Sequence, residues 1–312
     1  MKDSRPLVSI IIPTYNEEEF LPLCLASISK LVWPESRYEI IVVDNGSDDK
    51  TCELAASHNA LVLKDETKTI AGLRNLGAGR AAGEIIAFVD ADCVVAQDWL
   101  VQAEKYFFDR SIVAWGSPPG VPLEATWVQK AWYLLRQKQQ PVEKVDWLES
   151  MNFFVRKKDF FQVMGFDESL DTCEDVDLSY RLAKKGSIVA DQSIQVIHLG
   201  EAATLGIFIK KEFWRGTSNF LGVFKHGLSL KEIPSLGVPV YFGLFLPVLI
   251  AAMVMKGGGF LLAGMAGLIL PGALILLKTR RKKAGGILRI QLVFLFYVYS
   301  IVRTFAVIPI KK

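Results

Sequence analysis

The chain has 312 residues, room for one large domain or two, and is 51% hydrophobic with a net charge of +3. So small a net charge gives no global field for binding nucleic acid. The cysteines Cys24, Cys52, Cys93 and Cys173 form no C-x-x-C pair, which excludes the usual zinc spacing and suits isolated thiols in a reducing compartment.

Met1-Lys2-Asp3-Ser4-Arg5-Pro6 runs straight into a strand without a secretory leader, so residues 1–200 are expected in the cytoplasm. Leu7–Pro13 reads as that strand. Asn16-Glu17-Glu18-Glu19 offers a cap and early acids for a helix carrying Phe20, Leu21, Leu23, Leu25, Ile28 and Leu31. Glu39–Val43 is a second strand, Ser47 or Asp48 caps the helix with Leu54 and Ala55, and Leu61–Leu63 is a third strand. Ile70–Ala82, rich in Ala, Gly and Arg, predicts a closely packed helix. Glu84–Val89 predicts a central strand ending on Asp90-Ala91-Asp92. This alternation predicts an α/β fold on a doubly wound, mostly parallel sheet.

Ser117-Pro118-Pro119-Gly120 is a break, Glu124–Gln140 looks helical, and 151–155 looks like a strand. Val176–Lys185 is a helix closed by Gly186, and Ile188–Ala190 and Ile194–Ile197 are short strands. Residues 1–203 are therefore taken as one catalytic domain. Residues 204–234 mix Phe and Trp with Lys and Arg, either as an interfacial amphipathic segment or as a helix packed on the first domain. Residues 235–310 are nearly all apolar and predict membrane spans near 236–255, 260–277 and 287–308. A turn at Lys256-Gly257-Gly258-Gly259 separates the first two. Five basic residues lie in Lys278–Lys283, and Arg289 and Arg303 are expected to snorkel.

Four motifs fall at predicted strand ends, where open α/β sheets bind ligands. In Pro13-Thr14-Tyr15-Asn16-Glu17, Tyr15 can stack a base, and Thr14 or Glu17 can hydrogen-bond it. In Asp44-Asn45-Gly46-Ser47, Asp44 can accept from a base or a ribose. In Gly72-Leu73-Arg74-Asn75, Arg74 can contact a diphosphate. In Asp90-Ala91-Asp92, two carboxylates can face a hard divalent cation such as Mn²⁺ or Mg²⁺.

In order and spacing, these motifs together resemble the family 2 glycosyltransferases from about Val8 to about Gly216. The resemblance implies a GT-A fold, inverting transfer from a nucleotide sugar (a UDP-sugar first) and a divalent metal. It places Pro13, Thr14, Tyr15, Glu17, Asp44, Arg74, Asn75, Asp90 and Ala91 around the donor. Asp90 lies near ribose and metal, and Asp92 is the metal ligand. Gly165-Phe166-Asp167-Glu168 resembles the family's G-F-D-E turn, and Glu174-Asp175-Val176-Asp177-Leu178 its E-D-x-D-L motif. Asp175 is thereby the candidate base and Glu174 its neighbour. His198 is a possible third metal ligand or a satisfied structural histidine.

The polymer-clamping Q-x-x-R-W of processive members is absent. Lys211-Glu212-Phe213-Trp214-Arg215-Gly216 stands in its region, with Trp214 as an acceptor-stacking candidate. That departure predicts addition of one sugar rather than polymerisation. The membrane helices fit a lipid-linked saccharide acceptor, and the resemblance implies cell-surface polysaccharide synthesis as the context. The enzyme would be a multi-pass protein of the inner or plasma membrane with a cytoplasmic catalytic domain, touching membrane lipids and no nucleic acid. The alternatives are transfer to polyprenyl phosphate itself, or an inactive membrane scaffold.

Overall fold

The computed structural model describes residues 6–216, 237, 239–256 and 258–306. The chain divides into two compact units: Met1–Pro122 with Gln140–Gly200, and Leu123–Gln139 with Glu201–Lys312.

In the first unit, β1 (Val8–Thr14), β2 (Tyr38–Asp44), β3 (Leu61–Lys64) and β4 (Ile85–Val89) run parallel. They alternate with α1 (Leu21–Ile28), α2 (Thr51–Ser57) and α3 (Ile70–Arg80). After β5 (Cys93–Val95) and α4 (Trp99–Glu104) come β6 (Ile112–Gly116), β7 (Val142–Val145), β8 (Asn152–Arg156) and β9 (Ser187–Asp191). Eight of these strands form one sheet in the order β3-β2-β1-β4-β8-β6-β9-β7. It is mostly parallel, with β8 antiparallel between β4 and β6 and β7 antiparallel at the edge.

The apolar runs alternate onto two faces, as the strand period requires. Ile10, Ile12, Ala87, Val89 and Phe154 join α1 and α4 on one face. Ile11, Ile86, Phe88, Phe153 and Val155 join α3, α6 (Lys157–Gln162) and α7 (Glu174–Ala183) on the other. A slip of one residue would exchange the two sets and undo the packing of both faces against their helices, so the register is firmly set. That register pairs Thr14 with Asp44 and Ile11 with Phe88, bringing the ends of β1, β2 and β4 to one edge. The glycines of α3 allow the expected close approach: a Cβ on Gly77 would meet Ile11 Cγ2 at 2.6 Å.

The first helix begins at Leu21, later than its acidic run suggests. The Asn16 carboxamide accepts from Asp48 N–H and the Glu18 carboxylate from Lys50 N–H, so both hold the neighbouring loop instead of capping. Likewise α2 starts at Thr51, whose N–H donates to Asp49 rather than to Ser47 or Asp48.

In the second unit, α5 (Trp127–Arg136) begins with a capping box between Thr126 and Gln129. Val128, Ala131 and Leu134 on α5 pack with Phe208 of α8 (Leu205–Gly216) and with Ile275, Leu292 and Leu295. Segment 123–139 thus packs in the core of this unit. Of the expected interfacial segment, 217–234 lies outside the described residues, as do Gly257 of the expected turn and residues 307–310 of the third apolar stretch.

Among the described residues, one helix, Gly286–Ala306, is long and apolar enough to cross a membrane. Tyr241–Ala252 and Gly264–Thr279 are shorter apolar stretches by the same measure, the second within the 22-residue helix Gly258–Thr279. Arg303 does not snorkel. It is 8% exposed and its guanidinium lies against Glu212, because a charge on the buried face of the helix needs a partner more than it needs water. Arg289 instead donates to the carbonyls of Arg280 and Lys282, and Lys282 Nζ to those of Leu134 and Leu135 at the end of α5.

Candidate active site

Asp44 ends β2 fully buried. Burial pushes its pKa up, but hydrogen bonds from Ser47, from Cys52 and from Gly46 N–H outweigh that and hold it below the ordinary carboxylate value. Gly46 has φ +80°, so only a residue without Cβ turns the chain there to deliver its N–H. Thr14 Oγ1 reaches Asp44 at 3.4 Å, Pro13 is buried within β1, and Tyr15 stands 60% exposed just beyond it. Glu17 lies in the same loop and donates its N–H to the Thr51 hydroxyl oxygen.

Arg74 and Asn75, adjacent on α3, face different partners. Arg74 is 1% exposed and forks, with Nη2 2.7 Å from Asp90 Oδ1 and Nη1 2.8 Å from Glu174 Oε1. The Phe166 ring centroid lies 5.6 Å from its Cζ. Asn75 holds the turn carrying that phenylalanine, donating to Phe166 O and Glu168 Oε1 and accepting from Phe166 N–H. The diphosphate role expected of Arg74 thus meets a guanidinium already paired with Asp90 and Glu174.

Ala91 packs into the core, leaving Asp90 and Asp92 half-buried on either side. Beyond them, β5 pairs antiparallel with β10 (Val196–His198), setting His198 opposite Cys93. His198 Nε2 lies 2.9 Å from Asp92 Oδ2. Two cis ligands of an octahedral ion with bonds of 2.0–2.1 Å lie about 3.0 Å apart, so this separation fits a shared divalent cation. Gly200 keeps the place open, since a Cβ there would sit 1.9 Å from Asp92 Oδ2. Among the described residues, no three His, Cys, Asp or Glu side chains converge as a metal cage. Asp90 turns to Arg74, so the pair Asp92–His198 would need substrate oxygens and water to complete a shell.

The helix α7 opens with Glu174, Asp175 and Asp177 in its first turn, where its dipole favours anions. Cys173 before it has φ +66°, a left-handed conformation that turns the chain into the helix. Burial first, then the charges of Glu174 and Glu149, push the Asp175 carboxyl up to about 8, against the pull of Arg74. Asp175 Oδ2 accepts from Ser150 N–H at 3.3 Å. Asp177 pairs with Arg181, which donates to the carbonyls of Val163 and Gly165 and so fixes the turn of Phe166. Glu149, Ser150 and Phe166 went unassigned in the sequence. Only the G-F-D-E spacing signalled one of them.

Trp214 lies on α8 in the second unit, 53% exposed. Its neighbour Glu212 is 2% exposed and bonds Arg215 at 2.8 Å and Arg303 at 2.9 Å.

The glycosyl transferase family 2 model matches residues 9–164, half of the chain. The chain is 29% identical to glycosyltransferase AglE of Haloferax volcanii over 259 residues, covering 79% of this chain and 84% of AglE. It is 28% identical over 200 residues to beta-monoglucosyldiacylglycerol synthase of Trichormus variabilis, covering 58% of this chain but 42% of that one, less than half of its length. The fold is similar to mannosyltransferase PcManGT from Pyrobaculum calidifontis in complex with GDP-Man and Mn²⁺. The TM-score is 0.65 at 18% identity, over 97% of this chain and 88% of that one. It is also similar to S. aureus TarS 1–349 in complex with UDP, with a TM-score of 0.52 at 17% identity, over 96% and 90% of the two chains. The mixed sheet is therefore GT-A-like, and the chain is a glycosyltransferase that belongs to glycosyl transferase family 2.

Proposed function

We propose that this enzyme transfers one sugar, with inversion, from a nucleoside-diphosphate sugar to a lipid-linked saccharide used in cell-surface polysaccharides. The observation that carries the reading is the fork of Arg74, which joins the strand-end carboxylate Asp90 to the Glu174-Asp175 pair. Donor end and proton acceptor thus share one constellation. Asp175 takes the proton from the acceptor hydroxyl, and the oxygen attacks the anomeric carbon from the face opposite the diphosphate. The carbon–oxygen bond to the diphosphate breaks, and the leaving group keeps the electron pair. Asp44 and Thr14 with Tyr15 form the base and ribose end, with Pro13, Glu17, Asn75 and Ala91 shaping the loops around it. Asp92 and His198, with Asp90 beside them, would hold Mn²⁺ or Mg²⁺. When bound, the cation supplies charge for the leaving diphosphate.

A UDP-sugar is the first donor to test and GDP-mannose the second, since the similar structures hold UDP and GDP-Man. A lipid acceptor suits the likeness to a diacylglycerol-glycolipid synthase. It also suits the exposed apolar stripe Ile287, Ile290, Phe294, Ile301 and Phe305 on the last helix. We place that helix in the inner or plasma membrane, with the shorter apolar helices beside it, the catalytic unit on the cytoplasmic side and Trp214 toward the acceptor. Transfer to polyprenyl phosphate is less well supported, because an ionised phosphate needs no base and Asp175 would be idle.

The test is nucleotide release by the purified full chain in detergent, with Mn²⁺ and either donor, on adding a polyprenyl-diphosphate saccharide or the polyprenyl phosphate alone. Release with the saccharide supports the reading. Release with the bare phosphate alone replaces it with the second, and no metal-dependent release with any donor contradicts both.

A further inference from the structure

Arg74 makes ion pairs at 2.7 and 2.8 Å with carboxylates that are 16 and 100 positions away in sequence. One positive charge is thus divided between two negative ones. Asp175 is faced by Glu174 on its own helix, by Glu149 and the Ser150 N–H ahead of β8, and by Arg74 of α3. With two carboxylates and one guanidinium around it, it holds its proton near neutral pH. Coulomb energy falls with distance, so the share of Arg74 that Glu174 receives weighs heavily on Asp175.

We propose that Arg74 is a shared counter-ion: a divalent cation arriving at the Asp90–Asp92 end shifts its charge toward Glu174 and drives the proton off Asp175. The base becomes competent when the donor end fills, and an empty site holds a protonated, inactive Asp175. The proton leaves to solvent, so cation affinity and pH are linked reciprocally. This rests on the metal reading of Asp92 and His198 given above.

The test measures Mn²⁺ affinity alone, without nucleotide or turnover, from the electron paramagnetic resonance of free Mn²⁺ over the full chain in detergent between pH 7 and 8.5. The unaltered protein should bind about threefold more tightly per pH unit. Asp175→Asn should flatten that slope while still binding Mn²⁺. Arg74→Gln should flatten it as well. Arg74→Lys keeps the charge but loses the fork and should flatten it in part, which covers the case that the glutamine variant does not fold. Every variant keeps Asp92 and His198, so the comparison is between proteins with the same ligands. A slope unchanged by Asp175→Asn overturns the proposal, and so does one lost there but kept without Arg74, because the coupling then runs through space. No Mn²⁺ binding in the unaltered protein overturns the metal reading along with it.

Discussion

Two buried ion networks with opposite stoichiometry mark the two units. In the first, one guanidinium, Arg74, lies between two carboxylates, Asp90 and Glu174, with Asp175, Asp92 and Glu149 nearby. In the second, one carboxylate, Glu212, lies between two guanidiniums, Arg215 and Arg303. The first leaves negative charge over, which holds a proton on Asp175 and favours a cation. The second answers the Glu212 charge from both sides and ties α8 to the last helix. Spare carboxylates around one guanidinium are the mark of chemistry, while a carboxylate clasped by two guanidiniums inside an apolar bundle fixes how helices meet.

The largest effect should come from removing the cation's partner. Asp92→Asn, or excess chelator on the unaltered enzyme, should lower turnover by several orders of magnitude while circular dichroism stays unchanged. Full activity in chelator would erase the distinction drawn for the first network. The second network should respond in stability instead. Glu212→Leu strands Arg303 on a buried face and should cost about 3–5 kcal/mol in denaturant unfolding, and Glu212→Leu with Arg303→Leu should recover most of it. A double variant as weak as the single would mean that the pair does more than join helices.

A smaller effect follows from the proton on Asp175. Its folded pKa of about 8 lies above the ordinary 3.8, so the folded state binds that proton more tightly than the unfolded chain. Stability from this group is present below pH 4 and is lost as pH rises toward 8. Asp175→Asn should therefore melt higher than the parent above pH 8, by a few degrees, with the gap closing toward pH 4. A gap independent of pH would contradict the shift. Least of all, Thr126→Ala should cost about 1 kcal/mol through the lost cap of α5, with no change in donor affinity.

Much of this was legible in the chain. Strands such as Ile85–Val89 announce themselves because a sheet covered on both faces needs uninterrupted apolar runs, and the strand-end motifs follow from where those runs stop. The partners of Arg74 were not legible. Asp90 and Glu174 meet it only once β4 and α7 pack against α3, and no local pattern encodes a contact across 100 positions. The direction of β8 was hidden too, since Asn-Phe-Phe-Val-Arg packs equally well either way. The edge strand β7, Val-Glu-Lys-Val, carries charges that suit a sheet edge but read as loop. The apolar C-terminal region read as three spans on composition alone, and composition could not show that Arg303 is buried against Glu212.

The central claim is that Asp175 removes the acceptor's proton while the strand-end groups hold the donor, and it separates cleanly into binding and rate. The decisive measurement is donor affinity and turnover for Asp175→Asn, side by side with the parent enzyme. The account predicts unchanged donor affinity and a fall of several orders of magnitude in kcat, because the base is needed only as the hydroxyl attacks. A variant that loses donor affinity and keeps its turnover would make Asp175 a binding residue and contradict the account.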